Sequence, residues 1–330
     1  MPALTYPEAI VVGLFQGVSE LFPVSSLGHS VLIPALIGGR WARDLNVSAP
    51  ESPYLAFIVG LHVATALALL AYFWRDWLRI AGGFATSLRD RQVRTADQRL
   101  AWLIILATIP VGIAGLLLEH TFRTVLGKPI PAAIFLTVNG VILFAGERLR
   151  RRDPAQSAPA GHARQMATVP ASQPAAQLAP EQPPGRHAAP PDEAAADRDA
   201  DRRLAGLGYP QAVLIGSAQI FALLPGISRS GVTMVAGLTR GLSHEDAARF
   251  AFLLATPVIL AAGALKIPDL AGPLGSGIRG QILAGSLFSG IGAYLSVRFL
   301  LRYFQTRTLT PFALYCTVAG LGSLAYLTLT

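Results

Sequence analysis

The chain has 330 residues, 52% of them hydrophobic and 14% charged, with a mean hydropathy of +0.48, a balance that excludes a soluble domain of this length. A formal charge of +8 would suggest nucleic acid as the partner of a soluble protein. Here the arginines cluster beside apolar runs, the pattern of cytoplasmic loops facing anionic lipid, so membrane lipid is the expected partner and nucleic acid is not.

The first arginine is Arg40, so no basic leader precedes the first apolar run and the apolar segments are expected to insert as they stand. That first run, roughly 6 to 41, contains YPEAIVVGLFQGVSELFPVSSLGHS from Tyr6 to Ser30 and is interrupted by Pro23, Ser25 and Ser26. Proline removes an amide donor and blocks the helix, and the backbone groups it frees cannot face lipid unpaired. Two half-helices around a buried break are expected, entering and leaving on one side. Gln16 and Glu20 are four residues apart and share a helix face just before the break. A carboxylate at membrane depth is expensive, which marks Glu20 as functional. After the break, Ser25 and Ser26 can cap the next half-helix. His29 follows them at spacings of four and three, so its imidazole can stand over either hydroxyl as a proton carrier.

Stretches long enough to cross about 30 Å of hydrocarbon follow at 54–74, 101–118 and 131–147. The connection 75–99 holds Arg75, Arg79, Arg89, Arg91, Arg94 and Arg99, whereas 119–130 holds Arg123 and Lys128, so the first is expected inside and the second outside. His62, Thr65, Trp74 and Glu119 lie in or beside these stretches, and spacing alone does not rank them. Residues 153–203 are rich in Ala, Pro, Gln and charge without apolar periodicity. They read as a disordered cytoplasmic linker, with His162 and His187 as bystanders. The expected divisions are a first membrane repeat at 1–150, a linker at 151–205 and a second repeat at 206–330.

A second broken segment, roughly 209 to 242, opens the other half with YPQAVLIGSAQIFALLPGISRSGVT from Tyr209 to Thr233. Laid over the first without gaps, it matches at Tyr6/Tyr209, Pro7/Pro210, Ala9/Ala212, Gly13/Gly216, Gln16/Gln219, Ser25/Ser228, Gly28/Gly231 and Gly38/Gly241. Its break, Pro225 to Thr233, has the makings of an anion cradle. Gly226 and Gly231 permit close backbone approach, and Ser228, Ser230 and Thr233 offer hydroxyls. Arg229 adds a planar cation at the end of a helix whose free amides point the same way. Further spans are expected at 249–267, 280–301 and 310–329, the last containing the lone Cys316, which excludes an intrachain disulfide.

Charge placement then puts the two broken segments in from opposite sides, each followed by three spans. The expected fold class is an all-α integral membrane protein, with six transmembrane helices plus two broken re-entrant hairpins in an inverted-topology repeat. Where the breaks meet, Glu20, His29 and Arg229 would surround a substrate bearing two phosphates and a lipid tail. One carboxylate cannot cage a metal. A divalent cation would sit at Glu20 with help from the Gln16 carbonyl and lean on phosphate oxygens.

These motifs resemble those of the undecaprenyl-diphosphate phosphatase family, the bacterial bacitracin-resistance membrane phosphatases. Gln16, Glu20 and the run Pro23 to His29 resemble its first motif, and Pro225 to Thr233 matches its second in full. The resemblance covers nearly the whole chain outside the linker. It implies hydrolysis of the C55 isoprenyl diphosphate carrier to the monophosphate, which recycles the carrier for peptidoglycan precursors and confers bacitracin resistance. It further implies a divalent cation, Mg²⁺ or Ca²⁺, and a catalytic site in the bacterial cytoplasmic (inner) membrane that opens toward the outer, periplasmic face; the reading leaves room for a homodimer. By resemblance, Gln16 and Glu20 bind the metal. Ser25, Ser26 and His29 meet the reacting phosphate, and Gly226, Ser228, Arg229, Ser230 and Thr233 bind phosphate, with Glu20, Ser26, His29 and Arg229 as the catalytic set. The chain departs from the family at Gln16, often Glu, and at Leu27, usually Thr. Two other readings stand beside this one: a polyprenyl-phosphate transporter or flippase on the same inverted repeat, and an intramembrane serine hydrolase using Ser26 and His29, which leaves Arg229 without a purpose.

Overall fold

A computed structural model describes residues 4–45, 53–151, 193–271 and 277–329. Among these, every regular element is a helix. The first half comprises α1 (Tyr6–Leu21), α2 (Ser26–Ile37), α3 (Gly39–Asp44), α4 (Pro53–Tyr72), α5 (Trp74–Asp90), α6 (Ala96–Leu126) and α7 (Pro129–Arg151). The second comprises α8 (Glu193–Ala205), α9 (Tyr209–Ser217), a 3₁₀ turn (Ala218–Leu223), α10 (Arg229–Leu238), α11 (His244–Ala271), α12 (Arg279–Tyr303) and α13 (Thr310–Leu329). Five helices, α6, α7, α11, α12 and α13, are long and apolar enough to span by themselves, and α4 qualifies when taken with α5, to which it is joined by an 84° bend. Five of the six expected spans are thus single helices, and the sixth, expected at 54–74, falls on α4, which reaches the required apolar length only together with α5. The basic connection after α4 is not a loop but α5, an amphipathic helix turned away from the span.

Both broken segments are built alike. At 16 and 12 residues, α1 and α2 are each too short to cross, and so are α9 and α10. Proline stands in the first turn of α1 and of α9, where its missing amide costs nothing. The Glu8 carboxylate accepts from the Thr5 amide at 2.8 Å, and the equivalent Gln211 accepts from the Gly208 amide at 3.0 Å. At the breaks, Ser25 and Ser228 each cap the next helix by accepting from Gly28 and Gly231, at 3.2 Å in both halves. The halves differ before the break: α1 stays α-helical to Leu21, whereas α9 tightens into the 3₁₀ turn.

The halves are interlocked rather than placed side by side. Helix α1 lies along α12 and α9 along α6, and these pairs approach to backbone contact because glycine faces backbone: Gly13 meets the Gly285 carbonyl and Gly216 meets the Ala107 carbonyl. In lipid, such small-residue contacts replace the hydrophobic effect as the force between helices. Helices α7 and α13 pair through a second repeat, TVNG at 137–140 and TVAG at 317–320. Gly140 faces Thr317 and Gly320 faces Thr137.

One expectation is corrected. The linker was expected to be disordered to residue 205, but Glu193–Ala205 is helix α8 and is fastened by charge. Asp201 accepts from Arg249 at 3.0 Å and from Arg79, Asp197 accepts from Arg249 at 2.7 Å, and Asp246 accepts from Arg203 at 2.8 Å. Composition gave no apolar period there because few of its buried side chains are apolar, chiefly Ala200, Leu204 and Ala205, and its charged ones are paired with residues far away in the chain. Residues 152–192, with His162 and His187, lie outside the described residues.

Candidate active site

The two breaks touch. A Cβ on Gly28 would lie 2.8 Å from the Gly226 Cα, so only glycine at position 28 lets the tips come this close. Helix α1 ends at Leu21, which frees the Phe22 carbonyl, and the opposite repeat satisfies it: the Ser228 and Ser230 hydroxyls donate to it at 3.3 and 3.2 Å. Asn139, fully buried on α7, spans both tips by donating to the Pro23 carbonyl at 3.1 Å and accepting from the Ser228 amide at 3.0 Å. Ser25 pivots the first tip at a φ of +68°, a region that disfavours any residue with a Cβ.

Around this contact stands a charged cluster. The Glu20 side chain is 5% exposed, and its Oε1 accepts from Arg229 Nη2 at 3.1 Å, an ion pair between the two halves of the chain. Oε2 accepts from the Ser26 hydroxyl and meets His62 Nε2 at 3.2 Å. The Arg229 and His62 side chains, each 23% exposed, cover the carboxylate. Gln16 sits one turn away. Its amide oxygen accepts from Thr65 at 3.1 Å and Ser289 at 2.6 Å, while its nitrogen lies 3.5 Å from Glu20 Oε2.

His29 is placed differently from expectation. Its Nδ1 lies 2.7 Å from the Ser25 carbonyl and its Nε2 lies 2.8 Å from the Tyr315 hydroxyl, and it makes no hydrogen bond to Ser26. A carbonyl only accepts, so Nδ1 carries the hydrogen and Nε2 accepts from the phenol. The ring stacks on Tyr315 and braces the strained Ser25. The spacing of three and four put His29 on the helix face above the break, but its two nitrogens meet the Ser25 carbonyl and the Tyr315 hydroxyl instead of a serine hydroxyl.

The cradle residues converge, though their hydroxyls already have protein partners. Ser228 and Ser230 serve Phe22, and Thr233 donates to the Arg229 carbonyl at 2.7 Å. What remains to meet an anion is the Arg229 guanidinium and the opening turns of α2 and α10, both directed at the tip contact. Glu20 is met by a guanidinium, an imidazole and a hydroxyl, and the Gln16 oxygen by two hydroxyls. Among the described residues no group of three or more His, Cys, Asp or Glu is placed to hold a metal ion. Gln16 and Glu20, the pair expected to meet a divalent cation together with substrate phosphate, stand side by side, with Gln16 Nε2 3.5 Å from Glu20 Oε2.

Of the residues left unranked by spacing, His62 and Thr65 belong to the cluster. Trp74 is half exposed at the start of α5, and the Glu119 side chain lies outside the described residues. Asn139, Ser289 and Tyr315 were missed. An amide alone in an apolar span was a usable signal for Asn139. Nothing in the order of residues marked the other two.

A family model described as "Bacitracin resistance protein BacA" matches residues 9–181 and 188–322. The chain is 65% identical over 326 residues to "Undecaprenyl-diphosphatase" of Mycolicibacterium paratuberculosis, covering 99% of this chain and 98% of that one. It is 60% identical to "Undecaprenyl-diphosphatase 1" of Frankia casuarinae, with 97% of each covered. It is 40% identical to "Undecaprenyl-diphosphatase 2" of Burkholderia orbicola, over 96% of this chain and 95% of that one.

Proposed function

From the premise that the chain belongs to the bacitracin resistance protein BacA family and is an undecaprenyl-diphosphatase, we propose how its residues divide the hydrolysis. It is a multi-pass membrane hydrolase of a phosphoric anhydride, acting on a polyprenyl diphosphate, with the cell-wall role and bacitracin resistance that belong to the family.

In the proposed reaction, Arg229 and the opening turns of α2 and α10 receive the diphosphate, a positive end of each helix facing the negative headgroup. The Ser26 oxygen attacks the terminal phosphorus. The bond from that phosphorus to the bridging oxygen breaks, isoprenyl monophosphate leaves, and the hydroxyl proton passes to Glu20. Water then breaks the Ser26–phosphate bond, returns the proton and releases inorganic phosphate. His29 holds Ser25, and through it the turn that aims Ser26. Glu20, with help from the Gln16 carbonyl, would hold a divalent cation, Mg²⁺ or Ca²⁺, which would supply positive charge against the phosphate oxygens. The arginine-rich connections support the bacterial cytoplasmic membrane with the cradle open to the outer face. The transporter reading loses its ground as the chain's activity, since the relatives are named for hydrolysis. The serine-hydrolase reading needs a Ser26–His29 pair, and Ser26 faces a carboxylate.

The observation that carries this reading is the Glu20–Arg229 ion pair, with the Ser26 hydroxyl on the same carboxylate. In purified protein, Glu20→Gln and Arg229→Ala are each expected to slow phosphate release by about 10²–10⁴-fold. A normal rate in either refutes it. Rapid quenching with a labelled terminal phosphate is expected to leave label on Ser26; a burst-free reaction with no labelled protein assigns the attack to water.

A further inference from the structure

The carboxylate at the centre of the site is held by a residue outside both motifs. His62 belongs to α4, and its Nδ1 lies 2.8 Å from the Ile58 carbonyl oxygen one turn back. That contact requires a hydrogen on Nδ1 and fixes the plane of the ring. Nε2 is thereby aimed at Glu20 and stands 3.2 Å from Oε2, the oxygen that also accepts the Ser26 hydroxyl; facing an acceptor on each side, the ring carries a hydrogen on both nitrogens and donates to the carboxylate as an imidazolium. Three residues further along α4, Thr65 holds the Gln16 amide at 3.1 Å. Two neighbouring positions on one face of α4 thus grip the two polar residues on one face of α1, Gln16 and Glu20.

The division of labour at the carboxylate gives this contact its meaning. Arg229 bonds Oε1, yet Arg229 is also the cation that a diphosphate attracts, so substrate competes with Glu20 for it. Once the guanidinium turns to phosphate, Oε1 has lost its partner and the carboxylate is free to rotate about its last bond. His62 cannot follow the phosphate, because Ile58 holds its other nitrogen.

We propose that His62 is a positioning residue for the hydrolysis, keeping Oε2 of Glu20 turned toward the Ser26 hydroxyl while Arg229 is engaged with the substrate. This rests on the reading of Glu20 as acceptor of the Ser26 proton.

The test uses full-length protein in detergent, with phosphate release from a polyprenyl diphosphate followed by kcat and KM, and thermal unfolding measured alongside. His62→Leu fills a similar volume without an N–H, and is expected to lower kcat on the order of 10²-fold, with KM within about 2-fold and the unfolding midpoint unchanged. His62→Gln brings an amide N–H back within reach of Oε2 and is expected to recover kcat to within about 5-fold of the unaltered chain. A normal kcat in His62→Leu, when Glu20→Gln is inactive, overturns the role of His62 and leaves that of Glu20 standing. A normal rate in Glu20→Gln overturns the underlying reading instead. A fall in kcat accompanied by a lower unfolding midpoint marks a structural residue and also overturns the proposal, as does a folded His62→Gln no more active than His62→Leu. Should His62→Leu fail to fold, His62→Asn, whose shorter amide stops short of Oε2, is judged by the same outcomes.

Discussion

A polar side chain inside a bilayer protein must find its partner among neighbouring helices, because neither lipid nor free water will serve. Asn139 shows what one such residue does. It occupies the position that is Ala319 in the matching TVAG of α13, so the internal symmetry is broken where one amide joins the two tips. Asn139→Leu orphans the Ser228 amide and leaves the Pro23 carbonyl with the weak Cys316 thiol as donor, and a buried orphan costs about 1–3 kcal/mol. The expected result is a lower unfolding midpoint in detergent together with slower phosphate release; a variant as stable and active as the unaltered chain would show that the tips do not need the clamp. At this scale the sequence was readable in part. The i, i+4 relation of Gln16 and Glu20 and the helix face of His29 follow from helical geometry. The partner of His29 does not, because Tyr315 lies 286 positions away and only packing brings it near.

The elements obey the same rule from the other direction, since a helix with little apolar surface, as α8 has in Ala200, Leu204 and Ala205, is fastened largely by charge. Helix α8 is tied to α5 and α11 through Arg249, which is almost fully buried among Asp76, Asp197 and Asp201. Burial pushes the Asp76 carboxyl up to about 6, against the pull of Arg249, and raises Asp201 in the same direction. An acid whose folded value lies above its unfolded one stabilises fully below the unfolded value, near 3.8, and loses that contribution as the pH rises through about 6. Comparing unfolding midpoints of the unaltered chain and Asp76→Asn at pH 7.5 and pH 5 should therefore show the difference moving in favour of the unaltered chain at the lower pH. Movement the other way would mean that the ion pair with Arg249 outweighs burial. Long apolar periods made the spans legible, whereas α8 was hidden because its ordering force lies largely in ion pairs with residues around 50 and 120 positions distant.

For the whole molecule, the contacts between halves outrank those within them. Helix α1 is completed by α12, α9 by α6, and Glu20 by Arg229. Each half is thus the other's packing surface and half of its site. Cutting the chain with an inserted protease site inside 152–192 is expected to leave both parts co-purifying and active, since the interface and not the covalent link joins them. Either part expressed alone is expected to release no phosphate. Separation of the cut parts in mild detergent would contradict the interlock.

Composition, the two gapless copies and the arginine distribution were enough to determine a helical membrane protein with two interrupted segments, because bilayer thickness and backbone satisfaction admit few alternatives. They also named Glu20, Ser26 and Arg229, since charge beside a hydroxyl at an apolar break costs too much in lipid to stand there without a use. Only the tertiary structure decided which oxygen each donor meets: Ser26 and His62 on one side of the carboxylate, Arg229 on the other, His29 drawn off to Tyr315. Hydrogen bonds act over about 3 Å, and residues brought that close by interlocked halves leave no trace in their spacing along the chain.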